Sequence, residues 1–195
     1  MGKKGDVHIN PVTGERAVVR VSPDENGGGL MVADLYIRPG GAVVGEHIHP
    51  SIEERFTVLR GRVGFKLAGR KAVAEPGQTL VLPPGVAHDW WNAGTEEALV
   101  RVEIRPGARF QDMVLNIFGL AQDGKTNAKG LPGLLQLSLF APEFSDVVVF
   151  TTPPPAVQRI LFGTLGPIAR LLGYRGSYPQ YVNRAPSEVV ALTDP

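Results

Sequence analysis

From residue 30 to residue 105 the chain is a succession of short apolar runs, each closed by proline or glycine. Residues 30–38, 42–49, 55–60, 63–67, 79–82, 88–92 and 98–105 read as strands, with turns at Pro39-Gly40-Gly41, Gly61, Gly69, Pro76-Gly77, Pro83-Pro84-Gly85 and Gly94. Many short strands with dense turns predict a sandwich or barrel. Ahead of them, 7–10 and 17–22 are two further strand candidates around a turn at Thr13-Gly14, and 26–29 is a glycine loop. After Pro106 the period changes. Phe110, Met113, Val114, Ile117, Phe118 and Ala121 recur at helical spacing and predict a helix over 108–121. Residues 123–127 form a polar stop, and the apolar stretch 131–140 is expected to be helical too. A helix near 156–162 follows three prolines; Gly163, Gly166 and Pro167 interrupt it before a short restart over 168–172. The chain thus divides into an N-terminal arm of strands (1–29), an all-β core (30–106) and a mainly helical extension (107–195). The extension is apolar enough to cover a barrel face or a dimer partner. A sharper alternative makes it a lid, with Tyr178 or Tyr181 at the barrel mouth.

Candidate chemistry is concentrated in two of these runs. His47 and His49 are two apart, so they share a face if 42–49 is extended. Pro50 lacks the N–H needed to continue in a sheet interior, and a short turn leads into the next strand. On that strand Glu54 shares its face with Phe56 and Val58, whereas Glu53 lies with Arg55 and Thr57. The apolar face points inward, which makes Glu54 the better ligand and Glu53 its rival. Pro84-Gly85 suits the central positions of a type II turn that delivers His88, with Trp90 and Asn92 on the same face. Three imidazoles and a carboxylate are a ligand set for one divalent transition metal ion: Fe, Mn, Ni, Cu, Co or Zn. Trp91 points the other way and is expected beneath the extension or at an interface. Arg38, Arg60 and Lys66 need no role beyond that of solvated strand charges.

Composition narrows the class. Twenty Lys and Arg against nineteen Asp and Glu leave no basic surplus for nucleic acid or an acidic membrane surface. With no cysteine, disulfides, thiolate catalysis and cysteine zinc ribbons are excluded. The charged start, Met-Gly-Lys-Lys-Gly-Asp, is followed by no apolar stretch, and no run reaches the length of a membrane span. A cytoplasmic protein is expected.

The two runs resemble the paired signature motifs of the cupin superfamily. Gly41, His47, His49, Glu54 and Gly61 fill the first motif, and only Glu54 leaves the right gap to Gly61; Gly77, Pro83, Gly85, His88 and Asn92 fill the second. The resemblance covers roughly residues 30–106, and the helical extension looks similar to that of some single-domain bacterial cupins. It implies a double-stranded β-helix, or jelly-roll, barrel with His47, His49, Glu54 and His88 as metal ligands. Phe56, Val58, Trp90 and Asn92 are the expected substrate pocket. In cupin dioxygenases acting on enediol-like substrates the metal-bound glutamate also serves as a base, which implies a catalytic role for Glu54. The leading expectation is a metal-dependent, dioxygenase-like oxidoreductase acting on a small chelating organic substrate. Alternatives are a Lewis-acid isomerase or lyase and a non-catalytic binding cupin. Cupin barrels often pair, so a homodimer is expected.

Overall fold

The computed structural model describes residues 2–43 and 45–192; Met1, Val44 and residues 193–195 lie outside it. In chain order the elements are β1 (Asp6–Ile9), β2 (Arg16–Val21), a 3-10 turn (Pro23–Glu25), β3 (Met31–Ile37), β4 (His47–Ile48), β5 (Glu53–Arg60), β6 (Val63–Leu67) and β7 (Arg70–Ala74). There follow β8 (Thr79–Leu82), β9 (His88–Asn92), β10 (Ala98–Arg105), α1 (Ala108–Gln122), α2 (Leu134–Glu143), β11 (Val149–Phe150), α3 (Pro155–Leu171), α4 (Pro179–Val182) and β12 (Glu188–Val189). The strands form two antiparallel sheets, ordered β12-β1-β2-β3-β10-β5-β8 and β11-β4-β9-β6-β7. This is the jelly-roll β architecture, with helices gathered at the C-terminal end.

Period-two patterning explains why the sheets close on each other. Along β10 buried and half-buried residues alternate, and β5 does the same. Val100 faces Val58 in the register, Val102 faces Phe56, and Ile104 faces Glu54. Glu54 therefore stands in the inward row of an otherwise apolar ladder. From the opposite sheet come Val63, Phe65 and Trp90, with Phe65 and Trp90 registered across β6 and β9. The Phe56 ring meets Phe65 edge-on at 5.4 Å and lies 6.1 Å from Trp90. Burying each such side chain contributes about 1.5–3 kcal/mol.

Several elements depart from expectation. The run 42–49 is not one strand. Gly45 has φ +88°, outside extended geometry, so only a bridge from Ala42 to Trp91 and the two-residue β4 remain in the ladder. Val44 of that run lies outside the described residues. β7 is an addition: an edge strand with four exposed residues, whose pattern carries no apolar signal. Ala68 and Gly69, both at positive φ, make the tight turn into it. The arm is built into the larger sheet through the β2–β3 ladder, and β12 pairs with β1 at the sheet edge. The predicted break in the last long helix does not occur, and α3 runs through Pro167. Gly166 is buried there, with the position of a Cβ only 3.5 Å from Leu139 of α2. It is a packing contact rather than a stop, and helix-on-helix burial outweighs the one hydrogen bond that proline removes.

Candidate metal centre

Three strands, β4, β5 and β9, deliver the four ligand candidates. His47 on β4 is the register partner of His88 on β9. His49 follows β4 directly. Gly85, at φ +77° in the Pro83–Val86 turn, donates its N–H to the His49 carbonyl at 2.8 Å, so the segments carrying His49 and His88 are tied together. Glu54 enters from β5 of the opposite sheet. All four side chains are at least 95% buried, and one ligand atom from each lies within 4.8 Å of the others.

Hydrogen bonds set the chemistry of each ring. His47 Nδ1 lies 2.9 Å from the Gly45 carbonyl, His88 Nδ1 2.9 Å from that of Val86, and His49 Nδ1 2.5 Å from that of Val147. A carbonyl only accepts, so each Nδ1 carries the proton and each ring, when neutral, turns an Nε2 lone pair towards the cluster. His88 Nε2 stands 3.1 Å and His49 Nε2 3.5 Å from Glu54 Oε2. Yet Glu54 Oε2 and His88 Nε2 are both buried without a hydrogen-bond partner. A converging set of lone pairs with orphaned buried acceptors is what a cation site presents, and the donor set suits a divalent transition metal.

Charge follows the same logic. Burial, reinforced by the neighbouring imidazoles, lowers the His47 pKa to about 4, so this ring is neutral at physiological pH. Burial alone would raise the Glu54 pKa, but His88 and the other two imidazoles outweigh it and hold the carboxyl below its ordinary range. Burial also works against a charged His88; the Glu54 carboxylate beside it more than offsets that and raises its pKa.

Glu53, the rival ligand, is half-exposed beside Arg55 and outside the cluster. A cavity of about 190 Å³ adjoins the cluster, lined in part by His47, His49 and Glu54. Phe56 and Trp90 line it too, but the structure does not bring Val58 or Asn92 there. Val58 is sealed in the core. The Asn92 amide is spent on the main chain: its N–H groups donate to Ile37 and Glu96, and its oxygen accepts from Gly94, all at 2.8 Å. Asn92 pins a turn. Trp91 lies across Gly64 on the outer face, where a Cβ would stand 2.2 Å from its ring, rather than under the extension. Tyr178 and Tyr181 are absent from the lining. Arg60 and Lys66 pair with Glu97 and Glu46, each at 3.0 Å.

Sequence reasoning missed the cavity's other wall. Phe110, Met113 and Ile117 of α1 close it, with the Phe110 ring 5.6 Å from His49, and Phe150 of β11 joins them. The 108–121 periodicity revealed a helix but not what its apolar face covers. Nor could local pattern show that Val147, 98 positions after His49, supplies its carbonyl.

Comparison with known proteins agrees with this architecture: residues 34–107 match the Cupin domain family. This chain carries a cupin domain. Germin-like protein 1 of Brassica napus is 31% identical over 153 residues, covering 74% of this chain and 62% of its own length. Germin-like protein subfamily 3 member 1 of Arabidopsis thaliana is 35% identical over 101 residues, 48% of each chain. The matched region thus spans between about half and three fifths of these relatives. Among solved structures, KdgF from Halomonas sp. is 20% identical with a TM-score of 0.43, covering 48% of this chain and 79% of KdgF. A Klebsiella pneumoniae protein with a double-stranded β-helix domain is 19% identical with a TM-score of 0.41, covering 55% and 83%. The buried His47, His49, Glu54 and His88 cluster fits a metal site within the cupin domain. Among the described residues no helix is long and apolar enough to cross a membrane.

Proposed function

We propose that His47, His49, Glu54 and His88 hold one divalent transition metal ion and that the protein is a metal-dependent, dioxygenase-like oxidoreductase acting on a small chelating organic molecule. The observation that carries this reading is the convergence of three Nε2 atoms and an unpartnered carboxylate oxygen beside a cavity. When bound, such an ion supplies Lewis acidity and a redox-capable centre with coordination positions left for substrate oxygens. The chain's own residues do the rest. Three backbone carbonyls hold the imidazoles in one tautomer and orientation. Phe56, Trp90 and Phe110 keep the surroundings apolar, which strengthens electrostatic steering of a bound substrate. Glu54 is the group placed to take a proton from a substrate hydroxyl as it chelates.

A homodimer through α3 belongs to the same proposal. Val157, Ile160, Ile168 and Leu171 fall on one side of that helix and are 49, 73, 48 and 89% exposed.

The test is elemental analysis of protein purified anaerobically without added metal, followed by oxygen uptake against enediol, diketone and catechol panels. About one equivalent of a redox-active metal and substrate-dependent uptake are expected. Bound metal with no uptake on any panel would remove the oxidoreductase reading; absence of metal after reconstitution would remove the metal site itself.

A further inference from the structure

The cavity beside the four-ligand cluster has a composition that selects among chelators. It runs from the cluster to the β1–β2 hairpin, between the inner sheet face and α1. Beyond the cluster its walls are carbon, from residues such as Met31, Ile104, Met113, Ile117 and Phe140. The polar side chains at the hairpin end are Asn10, Thr13 and Glu15, and each is already engaged in a hydrogen bond. Asn10 Oδ1 accepts from the amides of Val12 and Thr13 at 3.0 and 3.2 Å, and Thr13 Oγ1 donates to Glu15 Oε2 at 2.8 Å. Among the described residues no lysine or arginine lines the space.

Three consequences follow for any ligand that reaches the metal. A second anionic group, phosphate or carboxylate, would be desolvated against hydrocarbon with no cation to receive it and with the Glu15 carboxyl at the far end. A polyhydroxylated body would leave hydroxyls unpaired along the carbon walls. An apolar body gains, by roughly fourfold in affinity for each methylene buried. Size is bounded as well: an apolar cavity of about 150 Å³ holds one benzene ring, and this one measures about 190 Å³.

We propose that the substrate is a predominantly apolar chelator, with two oxygens at the metal end and a single ring-sized hydrocarbon body packed against α1. Met113 and Ala33 face that body and set its size; Glu15 excludes a second anion. This inference rests on the metal-site reading above and narrows it, away from sugar phosphates and small dicarboxylates.

The test uses the full chain carrying the metal it retains on purification. Binding of benzoylacetone, acetylacetone, oxalate and 2-phosphoglycolate is measured by calorimetry. Benzoylacetone is expected to bind at least about tenfold more tightly than acetylacetone, in line with burial of its extra ring, and oxalate and 2-phosphoglycolate more weakly still. Ala33→Leu, which fills the cavity, and Met113→Ala, which removes a wall, should each cut benzoylacetone binding several-fold and leave acetylacetone binding and metal content unchanged. Oxalate or 2-phosphoglycolate binding as tightly as benzoylacetone, or benzoylacetone indifferent to both substitutions, would overturn the inference. A second arm works without metal: ¹⁹F NMR of benzotrifluoride with chelator-stripped protein. Uptake by the wild type and its loss in Ala33→Leu support the apolar body site even if the metal reading fails; no uptake by the wild type counts against it.

Discussion

Glu54 and His88 show how sharply a single residue is constrained here. Their facing atoms are 3.1 Å apart, buried and unpartnered, and the other nitrogen of the ring is already held by the Val86 carbonyl. A cation relieves that convergence, so metal binding should be linked to stability. Chelator-stripped protein is expected to melt several degrees below the metal-loaded form, read by calorimetry at fixed pH; equal melting temperatures would contradict a filled site. Glu54→Ala should retain less than about a tenth of the metal, as expected when a ligand of a four-residue set is lost. Glu53→Ala should retain it all, because Glu53 points to the half-exposed face. The choice between these neighbours was legible in the sequence, since alternation alone puts Glu54 with Phe56 and Val58. Asn92 was not, because a polar residue on an inward face reads the same whether it meets a ligand or caps a turn. Asp34 was passed over as well. It is 1% exposed and held by Arg20 at 2.6 Å and Arg101 at 2.8 Å. Asp34→Ala leaves two partly exposed guanidinium groups without their shared carboxylate and should cost about 1–2 kcal/mol in chemical denaturation.

At the scale of elements, α1 is the hinge between barrel and tail. Its inner side closes the cavity, while Gly119 lets Tyr181 of α4 lie against it: a Cβ there would sit 2.4 Å from the tyrosine ring. Gly119→Ala gains helix propensity yet forces a 1% exposed ring out of place. The clash should dominate, with a net loss of about 1–3 kcal/mol in thermal or urea unfolding. Removing the ring as well, in Gly119→Ala/Tyr181→Ala, should make the two changes non-additive. The same joint is tuned by charge. Asp123, just past α1, accepts from Arg184, Tyr181 and Lys125, and these contacts, Arg184 first, hold its carboxyl down at about 2. A depressed carboxylate pKa contributes stability above the ordinary value near 4, and that contribution drains away as pH falls towards 2. Asp123→Asn should therefore be less stable than wild type at pH 6, and the gap should close between about pH 4 and 2. A gap independent of pH would point to packing rather than charge. Apart from the Lys125 pair, these tail contacts join residues distant in sequence, which is why Tyr181 read as a possible mouth residue and Gly119 drew no reading.

Across the whole molecule, legibility tracks how much of the signal is periodic and local. β5, β6, β8, β9 and β10 carry alternation against one shared core, and 88–92 and 98–105 match the strands formed. The cluster was legible because two short motifs concentrate all four ligand candidates. What stayed hidden depends on contacts between distant segments: the edge strands β7, β11 and β12, the Val147 carbonyl under His49, and α3 running unbroken past Pro167. α3 leaves the largest open question of assembly. Gln158, Gly166 and Ala169 bury one side of it, and α2 lies along that helix. The far side leaves Ile160 and Leu171 mostly exposed, and Leu172 beyond the helix end is 61% exposed. A helix that packs one side on its own chain and carries an apolar stripe on the other leaves that stripe uncovered. Two-fold pairing of α3 with its copy would bury this stripe, since the same surface serves both subunits. Light scattering across a dilution series should give twice the chain mass of 20.9 kDa, and Ile160→Glu with Leu171→Glu should reduce it to one chain while metal content holds. A wild type that stays monomeric at high concentration would exclude the pairing, and a variant that remains dimeric would move the contact to another face.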